Sequence, residues 1–141
     1  MSDASDKLCF LVVDDQPLIT GALSMLLTSE NPDSEVFTAN SVDEARKLVH
    51  SHAPEADLLI LDLSMPGVVG TNLLEEFVRE EPSLKILVLS GVTDRESVMN
   101  TLSLGAAGFV PKTLDTDLLL TAIHFVLKGG VYLPSKIIEE S

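Results

Sequence analysis

Short apolar or β-branched runs alternate with segments of helical spacing along the whole chain, and this order constrains the fold more than any other feature. The runs fall at 8–13, 35–39, 58–63, 86–90 and 108–110, the second being the weakest. Most lack the alternation of inward and outward residues, as strands buried on both faces do. Residues 17–29 place Leu18, Ile19, Ala22, Leu23, Leu26 and Leu27 on one helical stripe, with Pro17 suited to a first turn. Ser41 followed three residues later by Glu44 reads as a capping box, and Val42, Ala45, Leu48 and Val49 carry the apolar face of a helix that ends before Pro54. Residues 71–81 carry Leu73, Leu74, Phe77 and Val78 and stop at Pro82, since the residue before a proline is biased away from helix. Asp94 caps a weaker helix to about Leu104, with Gly105 as its terminator. Asp115 or Thr116 caps a last one, with Leu118, Leu119, Ala122, Ile123, Val126 and Leu127 as its stripe and Gly129 and Gly130 as its stop.

Five strand–helix units joined by short links predict an α/β fold, a parallel sheet covered by helices on both faces, because a right-handed crossover is the common way to join parallel neighbours. A chain of 141 residues makes one such domain. With 45% hydrophobic residues against 22% charged, it has the apolar material for a packed core. Nine basic against 22 acidic residues give a net charge of −13, which repels a phosphate backbone and argues against nucleic-acid binding by this chain itself. The single thiol, Cys9, lies inside an apolar run, so no intrachain disulfide forms and the residue reads as core filler. No run is long enough for a membrane span and residues 1–7 do not resemble a signal sequence, which predicts a cytoplasmic protein.

Parallel sheets of this kind carry their sites at the carboxyl ends of the strands. There the first run delivers Asp14 and Asp15, the third Asp62, the fourth Ser90 and the fifth Lys112. Three carboxylates about 5 Å apart repel by about 3 kcal/mol per pair at an effective dielectric near 20, so positive charge belongs among them. Lys112 supplies one charge. An all-oxygen site with few protein ligands suits Mg²⁺, with Asp15 and Asp62 as direct ligands and Asp14 nearby or acting through water. A carboxylate fixed by a rigid buried strand beside a cation and a lysine is placed to attack phosphorus, which makes Asp62 the expected nucleophile. For Asp14 and Asp15 alone, a solvated turn or a cap of the first helix is the plainer reading, but it leaves Asp62, Ser90 and Lys112 unexplained.

These residues resemble the response-regulator receiver domains of two-component signalling over about residues 7–130. The resemblance is carried by Val13-Asp14-Asp15, by 62–67 with Gly70, by Leu89-Ser90-Gly91, and by 105–112, in that order. It implies a flavodoxin-like (βα)5 fold with a five-stranded parallel sheet of order 2-1-3-4-5. It also implies that Asp62 accepts a phosphoryl group from a phosphohistidine on a sensor histidine kinase. By the same resemblance Asp15, Asp62 and the backbone carbonyl of Ser64 hold Mg²⁺, and Asp14 is the second acidic residue of the pocket. Ser90 and Lys112 bind phosphoryl oxygens after transfer, and Phe109 occupies the aromatic switch position. The domain is a phosphoacceptor that catalyses only its own phosphorylation and dephosphorylation. Its switch would pull Ser90 and Lys112 inward, opening space for the Phe109 ring.

Four features depart from the family pattern, the mildest being Ser90 in place of a threonine. Phe109 lacks the hydroxyl of the tyrosine often found there, proline precedes Lys112 instead of following it, and the lifetime-tuning positions are the small Ser64 and Val92. The ending around 122–133 resembles receivers of LuxR/NarL-type transcription regulators, whose helix-turn-helix output domain binds DNA. Residues 1–6 are then a disordered N-terminus, 7–130 the receiver, and 131–141 a tail or the start of a linker. The chain is either the receiver of a longer protein, the favoured reading, or a stand-alone regulator. Val92, Val98, Leu102 and Val110 are a candidate surface for dimerising on phosphorylation, or else core. A flavodoxin is excluded by the two aspartates where a phosphate cradle needs glycines, and an aspartate-based phosphatase is disfavoured by Ser64 where its second acid belongs. The remaining alternative is a receiver-like interaction module that works without phosphate.

Overall fold

The alternation resolves into ten elements in a computed structural model that describes residues 7–112 and 115–134. They are β1 (Cys9–Val13), α1 (Pro17–Glu30), β2 (Glu35–Ala39), α2 (Val42–His52), β3 (Leu58–Asp62), α3 (Asn72–Glu80), β4 (Ile86–Ser90), α4 (Arg95–Ser103), β5 (Gly108–Pro111) and α5 (Thr116–Leu127). The strands form one parallel sheet of order β2-β1-β3-β4-β5. The first strand begins at Cys9 and the third ends at Asp62, each one residue inside the expected span. Residues 1–6 and 135–141, read as a disordered terminus and as part of a tail, lie outside the described residues.

Every residue of β1, β3 and β4 is buried, as their unbroken apolar sequence requires in a sheet covered on both faces. Leu11, Val13, Leu59, Leu61, Ile86, Val88 and Phe109 point to one face and pack under α2, α3 and α4. Phe10, Val12, Leu58, Ile60, Leu87, Leu89 and Val110 point to the other, under α1 and α5. Full burial of one such side chain stabilises by about 1.5–3 kcal/mol. Strand residues on both sides therefore lock the register, because a one-residue slip would exchange the two faces. That register brings Val13 beside Leu61 and Ala39, Asp62 beside Leu89, and Ser90 beside Pro111, so the carboxyl ends of four strands meet at one edge.

Helix ends follow the expected chemistry. The Glu44 N–H donates to Ser41 Oγ, Ser97 N–H to Asp94 Oδ2 and Leu118 N–H to Asp115 Oδ1. After α5, Gly129 takes φ +97°, while its N–H reaches Val126 O and the Gly130 N–H reaches Phe125 O, the paired bonds that close a helix with glycine.

Three packing expectations change. The buried stripe of α1 is Thr20, Leu23 and Leu27, while Leu18 is 82% exposed and Ala22 also faces solvent, because only one side of α1 meets the sheet. Of the candidate dimer residues, Val98 and Val110 are core and Leu102 is half-buried against it, whereas Val92 is exposed. The chain beyond Gly130 also does not leave the domain at once. Tyr132 N–H donates to Ala107 O and Phe109 N–H to Tyr132 O, each at 3.0 Å, which adds a parallel bridge to the outer edge of β5. Gly108 makes room for it, since a Cβ there would stand 2.7 Å from Leu87 Cδ1 and 3.3 Å from the Tyr132 carbonyl oxygen.

Candidate acidic site at the carboxyl edge of the sheet

The edge where β1, β3, β4 and β5 end holds the residues named from the sequence. Asp14, Asp15 and Asp62 each present a carboxylate oxygen within 4.8 Å of the others. Asp14 and Asp62 are fully buried and Asp15 is half-buried. Backbone amides two residues on fix the two buried carboxylates, with Gln16 N–H donating to Asp14 Oδ1 at 2.9 Å and Ser64 N–H to Asp62 Oδ1 at 2.8 Å. Such turns are local properties of aspartate at the end of an element. Beyond Asp62, Gly67 and Gly70 take φ of +89° and +56°, a path open to glycine that turns the loop back toward α3.

Lys112 reaches this cluster from β5, with Nζ 2.9 Å from Asp62 Oδ2 and 3.0 Å from Asp14 Oδ2. Burial alone would lower the Lys112 ammonium, but its bond to Asp62 and the adjacent Asp14 charge outweigh that and hold it above the usual lysine range. Burial pushes the Asp14 carboxyl up, with the Asp62 charge adding to it, against the opposing Gln16 amide and Lys112. Asp14 Oδ2 is buried with no hydrogen bond of acceptable geometry, although the ammonium stands beside it. Three carboxylates with one ammonium, an unaligned buried oxygen and an all-oxygen donor set fit a divalent cation of the Mg²⁺ class.

Ser90 is buried at the end of β4, where its Oγ accepts from Val92 N–H at 3.0 Å and its carbonyl accepts from Lys112 N–H at 2.8 Å. The ends of β4 and β5 are thus tied together behind the acidic cluster. Beside them lies a cavity of about 350 Å³ lined by Ser64, Thr71, Ser90, Val92, Thr101 and Phe109 among others. The Phe109 ring is 1% exposed and belongs to the core under α4, so in this state it already points inward.

All of the expected site residues meet here, with Phe109 one layer deeper. The reading of strand ends passed over β2, which also contributes. Asn40, the residue after β2, donates from Nδ2 to the Asp14 carbonyl at 2.8 Å and to Thr20 Oγ1 at 3.1 Å. Its signal was positional, since it stands directly after the second strand as Asp14 stands after the first.

Comparison with known proteins agrees with this geometry. The family described as the response regulator receiver domain matches residues 10–124. The chain belongs to that family. Among curated relatives of this receiver, the glycerol metabolism activator of Pseudomonas putida is 35% identical over 129 residues, covering 92% of this chain and 58% of that protein. The receiver therefore spans little more than half the length of that relative. Of solved structures, a LuxR family DNA-binding response regulator from Silicibacter pomeroyi is 28% identical with TM-score 0.77, covering 92% of this chain and 98% of that one. A chain of the CheX-CheY-BeF3-Mg²⁺ complex of Borrelia burgdorferi is 27% identical with TM-score 0.78, covering 84% and 88%. The receiver fold, the sheet order and the likeness to LuxR-type regulators that the resemblance implied all hold. No helix among the described residues is long and apolar enough to cross a membrane.

Proposed function

We propose that this receiver is a phosphorylation-dependent switch in which Asp62 is the phosphoacceptor. The observation that carries the reading is Asp62 itself, fully buried at the end of β3, within 4.8 Å of two further carboxylates and 2.9 Å from Lys112. Asp15, Asp62 and the Ser64 backbone carbonyl would hold Mg²⁺, with Asp14 acting through water. When bound, the ion supplies positive charge to the oxygens of the transferring phosphoryl group. A carboxylate oxygen of Asp62 attacks phosphorus. The P–O bond forms as the P–N bond of a donor phosphohistidine breaks, and the imidazole leaves with the electron pair. Lys112 then exchanges its bond to Asp62 Oδ2 for one to a phosphoryl oxygen, and the Ser90 hydroxyl turns from Val92 to another.

Because Ser90 and Lys112 are joined through their backbones, movement of either is felt by both strands. To shift such a domain from 1% to 99% active takes about 5.5 kcal/mol of differential stabilisation, within reach of a few charge-assisted contacts. The donor is a sensor histidine kinase. The output is a DNA-binding transcription-regulator domain following the receiver in a longer protein, as the length of the relative suggests. The receiver body is 7–130, and a homodimer forms on phosphorylation. The chain works in the cytoplasm, where such kinases present their phosphohistidine.

Intact mass after incubation with acetyl phosphate tests this. A gain of one phosphoryl group that requires both Mg²⁺ and Asp62, and is lost in Asp62→Asn, is expected. A folded, Mg²⁺-bound protein that gains nothing would move the assignment to an interaction module that works without phosphate.

A further inference from the structure

We propose that Asn40 is a positioning residue of the acidic pocket, holding the Asp14–Asp15 peptide so that Asp15 faces the cation. The inference rests on the Mg²⁺ site proposed above and adds a residue outside the ligand set. The β1–β2 ladder ends with Val13 beside Ala39, and one more backbone bond, Asp14 N–H to Ala39 O at 3.1 Å, closes it. Beyond that point the chain leaving β2 turns into α2, and among the described residues no further backbone bond joins it to the end of β1. The Asn40 side chain supplies the next rung, with Nδ2 donating to the Asp14 carbonyl at 2.8 Å. Both sides of Asp14 are therefore pinned to the end of β2, one by backbone and one by side chain.

The amide cannot rotate freely, because its second hydrogen goes to Thr20 Oγ1 at 3.1 Å. Thr20 is itself buried on α1, where its hydroxyl donates to Pro17 O. A carbonyl can only accept, so Nδ2 must face Asp14. The backbone of Asn40 is fixed in turn, since its N–H donates to Glu44 Oε1 at 2.9 Å, a capping contact of α2 displaced by one residue.

This matters for Asp15 more than for its neighbours. The carboxylates of Asp14 and Asp62 are held by backbone amides and by Lys112. Among the described residues, no hydrogen bond or ion pair holds the Asp15 carboxylate, so its direction is set by the peptide on which it stands. A residue that orients a metal ligand typically changes metal affinity by tenfold or more when removed.

The test is an NMR titration of the full chain with MgCl₂, following the amides of Asp15 and Ser64, with the thermal midpoint measured in parallel. Asn40→Ala and the smaller change Asn40→Ser are expected to raise the Mg²⁺ midpoint about tenfold. Phosphorylation by acetyl phosphate at saturating Mg²⁺ should still reach the wild-type plateau. Leu27→Ala, a core truncation near the far end of α1 beside Leu8 and Phe10, should lower the thermal midpoint and leave the Mg²⁺ midpoint in place. Equal Mg²⁺ midpoints in wild type and both Asn40 variants would overturn the positioning role. If wild type does not titrate, or if Asp15→Asn titrates like wild type, the metal site itself falls and the inference with it.

Discussion

Asp14→Asn should make the metal-free protein more stable, although it removes an ion pair. The Asp14 carboxylate stands 3.0 Å from Lys112 Nζ, an attraction of about 5.5 kcal/mol at an effective dielectric near 20. It also lies within 4.8 Å of oxygens of Asp15 and Asp62, each a repulsion of at least about 3.5 kcal/mol on the same scale. The repulsions exceed the attraction by about 1.5 kcal/mol. Burying Oδ2 without an aligned donor adds a further cost of about 1–2 kcal/mol. The variant should therefore gain about 2.5–3.5 kcal/mol, or about 8–12 °C in thermal midpoint for a chain of this size.

The assay is thermal unfolding in EDTA and again in excess Mg²⁺. In EDTA the variant should melt higher. In Mg²⁺ the wild type should gain more, because binding stabilises by RT ln(1 + [Mg²⁺]/Kd) and the variant has lost one charge from the pocket. The sign of the pH effect follows from the same imbalance. The Asp14 carboxyl is raised in the folded state, chiefly by burial, so metal-free wild type regains stability as pH falls through that raised value toward the unfolded value of 3.8, and the variant does not. A variant in EDTA that melts at or below wild type would refute the claim that like charge and burial outweigh the lysine.

Other predictions follow from the same geometry. Lys112→Ala should still bind Mg²⁺ but should lose the shift of β4 and β5 amide resonances expected of wild type on addition of beryllofluoride; an unchanged shift would count against the switch through Lys112. Gly108→Ala should crowd Leu87 and the Tyr132 backbone and release the chain beyond Gly130 from β5, read as faster amide exchange at Tyr132 and as altered emission of the single tyrosine. If Tyr132 stays protected, the close approach is not what glycine serves there. The Cys9 thiol, pushed up to about 11 chiefly by burial, should resist thiol reagents in the folded protein at pH 8. Since the unfolded thiol ionises near 9.0, stability should be intact below that pH and decline between 9.0 and about 11. Reaction at pH 8 at the rate of an unfolded chain would contradict the burial.

The sequence by itself determined the elements and most of the site. The unbroken runs of β1, β3 and β4 carry burial on two faces in their composition. Ser41, Asp94 and Asp115 cap helices by bonds that reach only three residues. Asp14, Asp62 and Lys112 were legible because strands with one buried register must end at one edge, so residues far apart in the chain are delivered together. Tertiary structure decided what depends on which neighbour each face meets. The exposure of Leu18, the burial of Val98 and Val110, and the docking of Tyr132 on β5 turn on packing between elements that no local periodicity records. Asn40 belongs to the same class. Its side chain reaches a carbonyl 26 residues away, and only the pairing of β1 with β2 tells that the two are neighbours.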